Sequence, residues 1–409
     1  MKDIRLYEQI LGLDKPWRVA EVKLDVGAEK VDLWLEHSAG AKWCCPKCGR
    51  DSKGYDHSGE RTWRHLDTCQ FKTLIHARVP RVECEQCGVK QVKVPWAEGQ
   101  GGFTLLMERL IIDLLQECKN IKGVCKILDI HWESCFRVMK QAVRRGQLRK
   151  QVLGTRYIGV DEKAFRRGHN YVTLVCDLQE GTVEWVAEDR KVESLQSYYE
   201  QLRPKQREEI EAVVMDMWPA YIKATRDGLS EGQEKVVFDR FHVMKELNMA
   251  VDMVRKQENR ALRKEGDDRL KKTKYFWLFS HENLPERYEH SFEKLRRSEL
   301  KTARAWHLKE LLRHLWDYKR MGWALKFFDQ WYRRAIRSQL EPIKRVARKL
   351  QRHLYGIVAY CKYPLTNGVT EGLNSKIMAV KRLVGGFRNI DNFKTAIYFY
   401  CGGLELYPR

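Results

Sequence analysis

The sequence predicts a multidomain α+β protein, in which a small β module, a helical segment, an α/β core and a long all-helical insertion follow one another. Three observations predict it. Two Cys-x-x-Cys pairs sit in an N-terminal stretch, residues 1–98, where apolar and polar residues alternate as in short strands. From Phe103 to Gly146 the periodicity turns helical. Residues 155–240 return to strands that end or centre on an acid, and helical texture rich in Lys, Arg and Trp then fills residues 241–362.

Composition bounds the partners. The 409 residues leave room for two to four domains, and 43% hydrophobic residues suffice for ordinary cores. Lys and Arg number 76 against 55 Asp and Glu, a surplus of 21 positive charges. A polyphosphate backbone is the first partner such a surplus suggests; a generally basic enzyme is the plainer alternative. No apolar run reaches about 18 residues, and the opening "MKDIRLYEQILGLDKPW" has no signal-type apolar region. A soluble, cytoplasmic chain without a membrane partner is therefore expected. In that reducing setting the 12 cysteines point to metal rather than to disulfides.

The β module carries Cys45-x-x-Cys48 and Cys84-x-x-Cys87, each pair followed by Gly. Thiolates at this spacing in a tight turn can reach one tetrahedral Zn2+, and four soft ligands with no open position make a structural site. Cys44 rivals Cys45, but only Cys45 keeps the spacing. With strand texture between the pairs, the module reads as a zinc ribbon.

The next segment reads as a helix-turn-helix. Thr104 is placed to cap an amphipathic helix, and "IKGVCKILDIHWESCFRVMKQAVRR" has the rhythm of helix, short turn, helix. Val124, Ile127 and Leu128 are expected to pack against Ile130, Phe136 and Met139, with Asp129 at the turn. Glu133, Ser134, Arg137 and Lys140 are left facing outward, as on a helix that enters a major groove. The plainer reading is a helical linker without DNA contact.

Acids mark the core. In "RYIGVDEKAF", Tyr157, Gly159 and Asp161 share one face of a strand and Ile158, Val160 and Glu162 the other. "EAVVMDMWPAY" ends a second apolar strand at Asp216, and "KVVFDRFHVMK" a third at Asp239. Side by side, such carboxylates repel unless a cation joins them. Far downstream, "LTNGVTEGLNSKIMAVKRLVGGF" reads as a capped helix with Leu373, Ile377, Val380 and Val384 as its apolar stripe, and Glu371 and Asn374 off it. By itself Glu371 is equally a helix N-terminal acid favoured by the dipole.

The ordered set "GVDE", "VVMDMWPAY", "FDRFHVMK" and "TNGVTEGLNSKI", preceded by the two knuckles and the helix-turn-helix, resembles the DDE transposases of the ISL-three insertion-sequence family over essentially the whole chain. The resemblance implies an RNase H-like α/β catalytic core interrupted by an all-α insertion. The expected boundaries are 1–98 (zinc ribbon), 99–150 (helix-turn-helix), 151–257 (core, first part), 258–363 (insertion) and 364–409 (core, C-terminal part). Asp161, Asp216 and Glu371 match the family's catalytic triad, and Asp239 and His242 match its D-x-x-H element, whose role is less settled. Asn374 stands beside them as an accessory candidate.

The implied activity is binding of the element's terminal inverted repeats, then DNA cleavage and strand transfer. That chemistry suits two Mg2+ ions, with Mn2+ able to substitute, because hard cations prefer carboxylates. Asp161 is expected to bridge both ions. Lys376, Lys381, Arg382 and Arg388 are the expected backbone contacts, alongside basic faces of the insertion. Double-stranded DNA, both element end and target, is the implied partner, with a homodimer or larger homo-oligomer holding two ends, in a bacterial cytoplasm and on its nucleoid. A DNA-binding regulator without catalysis and a hydrolysing nuclease are the competing readings.

Overall fold

The computed structural model describes residues 2–150, 154–166 and 170–409, so the boundary expected after residue 150 abuts residues outside this set. Helix α1 (Lys2–Ile10) leads into β1 (Trp17–Asp25), β2 (Lys30–His37), β3 (Trp43–Cys44), β4 (Asp51–Arg64), β5 (Lys72–Cys84) and β6 (Gly88–Gln91). They form one sheet in the order β1-β2-β5-β4-β3, with β6 paired to β5. Strand alternation drives it: Thr73, Ile75, Ala77 and Val79 of β5 all bury. Trp17, Trp63 and Trp96 fill the same small core, Trp17 meeting Trp96 edge-on at 4.8 Å.

Three helices follow, α2 (Leu105–Cys118), α3 (Ile121–Leu128) and α4 (Trp132–Arg149). Thr104 caps α2 by accepting from Met107 N, and Asp129 makes the turn before α4 in the left-handed region at φ 48°. Their core joins Ile111, Leu115, Val124, Val138 and Met139. Ile127 departs from expectation. It is 62% exposed, because on so short a helix the buried stripe is Ile121, Val124 and Leu128 and residue 127 falls beside it.

The second sheet holds β7 (Tyr157–Arg166), β8 (Asn170–Asp177), β9 (Thr182–Glu188), β10 (Ala212–Met215) and β11 (Val236–Phe238). Helices α5 (Val192–Gln201) and α6 (Pro204–Glu209) connect β9 to β10, and α7 (Pro219–Gly228) connects β10 to β11. The order is β11-β10-β7-β8-β9: an antiparallel meander from β7 to β9, with β10 and β11 added parallel on the other side of β7. Ile158, Val160, Val213 and Met215 face α5, α7 and the helices beyond them.

From Arg240 to Cys361 the described residues contain helices and no strand: α8 (Arg240–Lys264), α9 (Lys274–Leu278), α10 (Glu286–Arg296), α11 (Lys301–Arg313), α12 (Met321–Arg337), α13 (Glu341–Arg352) and α14 (Leu354–Val358). Helix α8 runs unbroken through residue 257, where the boundary between core and insertion is expected. Trp277, Phe292, Trp306, Phe328 and Trp331 pack its interior, and Leu312, Leu315 and Trp316 are buried with them. Helices α15 (Gly368–Leu383) and α16 (Ile390–Cys401) then return to the other face of the second sheet, where Leu373, Ile377 and Phe393 meet Phe165 and Leu174.

The last residues fasten the three-helix unit to this core. Arg145 Nη1 donates to Leu406 O at 2.8 Å, Arg149 Nη1 to Tyr407 O at 2.6 Å, and Tyr400 Oη to Leu115 O at 3.1 Å. Among the described residues no helix is long and apolar enough to cross a membrane.

Candidate active site

The four cysteines close into one cluster. Cys45, Cys48, Cys84 and Cys87 bring their Sγ atoms within 4.8 Å of one another, although the two knuckles lie 36 residues apart in the sheet. Gly49 and Gly88, directly after the knuckles, take left-handed φ of 76° and 68°, which lets the chain turn back around the thiols. Cys44 points elsewhere, its thiol donating to Asp51 Oδ1 at 3.2 Å, so Cys45 is the cluster member.

Register aligns the acids of the second sheet. Val214 pairs with Gly159, and Met215 pairs with Phe238, all in parallel ladders. Continuing each ladder sets Asp216 between Asp161 on β7 and Asp239 beyond β11, and Asp239 N still donates to Met215 O at 3.0 Å. The row lies at the carboxyl ends of β10 and β11 and midway along β7, beside the point where the sheet runs off in two directions from β7. Such a crevice is where open α/β sheets bind ligands.

Helix α15 covers Asp161. Asn374 Nδ2 donates to Asp161 Oδ2 at 2.5 Å, while Asp161 Oδ1 accepts from Glu162 N at 2.8 Å. Asn374 is only 7% exposed, so the helix buries it against the strand, contrary to its expected place off the packed side. Gly159 makes this approach feasible: a Cβ there would stand 2.4 Å from Thr370 Oγ1 and 3.0 Å from Asn367 Oδ1. Glu371 lies in the first turn of α15, exposed, three residues before Asn374 and thus on the neighbouring part of the helix surface. Among the described residues the cysteines are the one group of three or more metal-type ligands within 4.8 Å, so Asp161, Asp216 and Glu371 stand apart from closed coordination.

The electrostatics fit a cation. Burial pushes the Asp216 carboxyl up; the His242 charge opposes this and the Asp161 charge adds to it. Glu162 is also raised, by burial first and then by Asp216 and Asp161. His242 moves up, chiefly through its hydrogen bond to Asp239 Oδ2 at 3.0 Å, against burial and with help from the charges of Asp239, Asp216 and Asp161. Asp239 also caps α8, accepting from Phe241 N. A hard divalent ion would relieve this crowding with the donor type it prefers.

Sequence reasoning passed over Arg190. Its guanidinium lies between the rings of Tyr171 and Trp218, 4.5 and 4.6 Å from their centroids, and reaches Glu162 at 3.5 Å. Trp218 ties the same corner to the acids, its N donating to Asp216 Oδ1 and its Nε1 to Arg190 O. The "EDR" closing β9 is an unremarkable tripeptide, and only folding brings it here.

Of the expected DNA contacts, Glu133, Arg137 and Lys140 are exposed on one side of α4, and Ser134 is half-buried beneath Arg137 Nη2. Lys376, Arg382 and Arg388 are exposed, whereas Lys381 donates to Ala164 O at 2.8 Å.

Residues 158–397 match a family model described as transposase, that of the ISL3 DDE group. The chain belongs to the ISL3 transposase family. Residues 41–87 of this transposase match the zinc-finger of transposase IS204/IS1001/IS1096/IS1165, and residues 92–143 the helix-turn-helix domain of transposase family ISL3. The first of these spans contains all four clustered cysteines, which supports a structural Zn2+. Among curated relatives, the transposase for insertion sequence element IS1001 of Bordetella parapertussis is 27% identical over 353 residues, 85% of this chain and 86% of that protein. The transposase for insertion sequence element IS1557 of Mycobacterium tuberculosis is 27% identical over 423 residues, 95% of this chain and 93% of that protein.

Proposed function

We propose that this transposase binds the terminal inverted repeats of its own insertion sequence and cuts and joins DNA at Asp161, Asp216 and Glu371. The observation that supports the reading is the parallel register of β7 and β10, whose continuation sets Asp216 opposite Asp161, where Asn374 of α15 is bonded to Asp161. In this reading the second sheet, a meander with two parallel strands added beside its first member, is taken as an RNase H-like core, and the helical segment from Arg240 to Cys361 as its insertion; the strand order supports it.

Asp161, Asp216 and Glu371 would hold the divalent ions, with Glu371 approaching from α15. Two Mg2+ ions, or Mn2+ in their place, would activate the attacking oxygen and stabilise the leaving one. Asn374 keeps the Asp161 carboxylate oriented. His242, its charge favoured by three acids, is available to a phosphate at the edge of the crevice. Water attacks first at the element end and frees a 3′-OH; that hydroxyl then attacks target DNA. The zinc ribbon (1–98) and helix-turn-helix (99–150) deliver the end, with Glu133, Ser134, Arg137 and Lys140 toward the groove. Because two ends are cut in concert, the working form is a homodimer or larger, acting on nucleoid DNA in the cytoplasm.

The test is a cleavage and strand-transfer assay in Mg2+ on labelled DNA carrying the element's ends, comparing wild type with Asp161→Asn. Joined products should fall by about 10³-fold or more in the variant, roughly 4 kcal/mol of barrier, with end binding kept. Hydrolysis without joining by the wild type would make the chain a nuclease. Specific binding with no cleavage in Mg2+ or Mn2+ would make it a regulator.

A further inference from the structure

Between the three-helix unit and the core runs a cavity of about 1020 Å³ whose chemistry the acids do not use. Its walls include Lys122 at the start of α3, Trp132 at the start of α4, Arg166 at the end of β7, and Lys381 and Arg388 around the turn between α15 and α16. Among the described residues lining it, none is acidic. Among the described residues Arg166 donates to Arg388 O and Lys381 to Ala164 O, both uncharged carbonyls. Burial, and then the nearby Lys163 charge, hold the Lys381 amine below its ordinary range, so positive groups are crowded here. Trp132 adds a flat apolar surface, stacked on Phe136 at 5.0 Å with ring planes 9° apart and 39% exposed.

We infer that this groove holds the phosphate backbone of one DNA strand between the sequence read by α4 and the phosphate cut at the acids. The inference rests on the transposase reading and adds a path and a spacing to it. Arg166 follows Asp161 by five residues on one strand, about 16 Å at ~3.3 Å per residue. Lys381 follows Glu371 by ten residues on one helix, about 15 Å at ~1.5 Å per residue. Both routes put the groove roughly 15 Å from the acids, which is about 4–5 base pairs at ~3.4 Å per step. Trp132, the first residue of α4, lines the same cavity, so a strand held there meets the helix that carries Glu133, Arg137 and Lys140.

The experiment is phosphate ethylation interference on duplex DNA carrying the element's own end, with the full-length chain and a Lys122→Ala/Arg166→Ala/Arg388→Ala variant. All three side chains are exposed, and thermal melting of the variant checks its fold. Interference is expected at phosphates about 4–5 base pairs inboard of the cut, lost in the variant while contacts from α4 persist. The slope of log affinity against log salt should shrink by about 2–3, close to 0.9 for each phosphate contact removed. An unchanged interference pattern overturns the groove and leaves the transposase reading standing. If the wild type shows no preference for the end, that reading fails instead. The salt slope on a duplex of unrelated sequence then still decides, an unchanged slope counting against the groove.

Discussion

The Asn374 side-chain amide donates to the Asp161 carboxylate across 213 residues of sequence. The bond joins α15, the helix that carries Glu371, to the first strand of the sheet. It fixes one carboxylate oxygen while the other receives Glu162 N, so Asp161 has a single orientation before any ligand arrives. Replacing Asn374 by Ala should therefore lower strand-transfer rate by roughly 10–100-fold, as loss of an orienting partner does, with end binding intact. Single-turnover kinetics would measure it, and wild-type rates in the variant would remove Asn374 from the site.

Gly159 sets how closely α15 lies on the sheet. In Gly159→Ala the new methyl group would fall 2.4 Å from Thr370 Oγ1 and 2.7 Å from Leu178 Cδ2. Relief requires the helix to move outward, at about 1–3 kcal/mol of stability. Glu371 travels with the helix, so activity should drop more than the melting temperature alone explains. A variant as active as wild type at equal folded fraction would show that α15 tolerates the shift.

Metal analysis of the purified chain should find about one zinc bound, lost in Cys84→Ser and kept in Cys44→Ser. Chelation should open the β4–β5 end of the N-terminal sheet to protease while the second sheet stays protected. Equal zinc in Cys84→Ser and wild type would contradict the four-thiolate site.

Acid should loosen the seam between the N-terminal sheet and α2. His65 is 2% exposed, and burial depresses its pKa to about 4 from 6.5. His65 Nδ1 and Thr104 Oγ1 share a hydrogen bond at 2.9 Å, and Thr104 in turn caps α2. Because the folded pKa lies below the unfolded one, the unfolded chain takes up this proton first as pH falls. The stabilisation is thus complete above pH 6.5 and is lost progressively toward pH 4, at most roughly 3 kcal/mol. Urea titrations of wild type and His65→Asn across this window should converge as pH falls; curves that stay parallel refute the assignment.

Local chemistry was legible in the chain. Cysteine spacing with a following Gly announced the knuckles, Thr104 and Asp129 announced a cap and a turn, and apolar runs closing on acids announced the strands. Each is a property of a few neighbouring residues, set by backbone sterics or by the period of a helix or strand. The family pattern added which distant acids to compare. Tertiary structure turned the spacing's preference for Cys45 over Cys44 into cluster membership, and it alone decided that Ile127 lies outside a core on so short a helix. It also buried Asn374 on Asp161, stacked Arg190 between two rings beside Glu162, and drew basic residues from α3, β7 and the α15–α16 turn around one groove. Those relationships depend on parallel ladder register and on how closely a helix can approach a glycine in a strand. Both are fixed by packing between segments distant in the chain, 23 and 55 residues apart in the ladders and 213 in the helix contact, so no local stretch of the sequence encodes them.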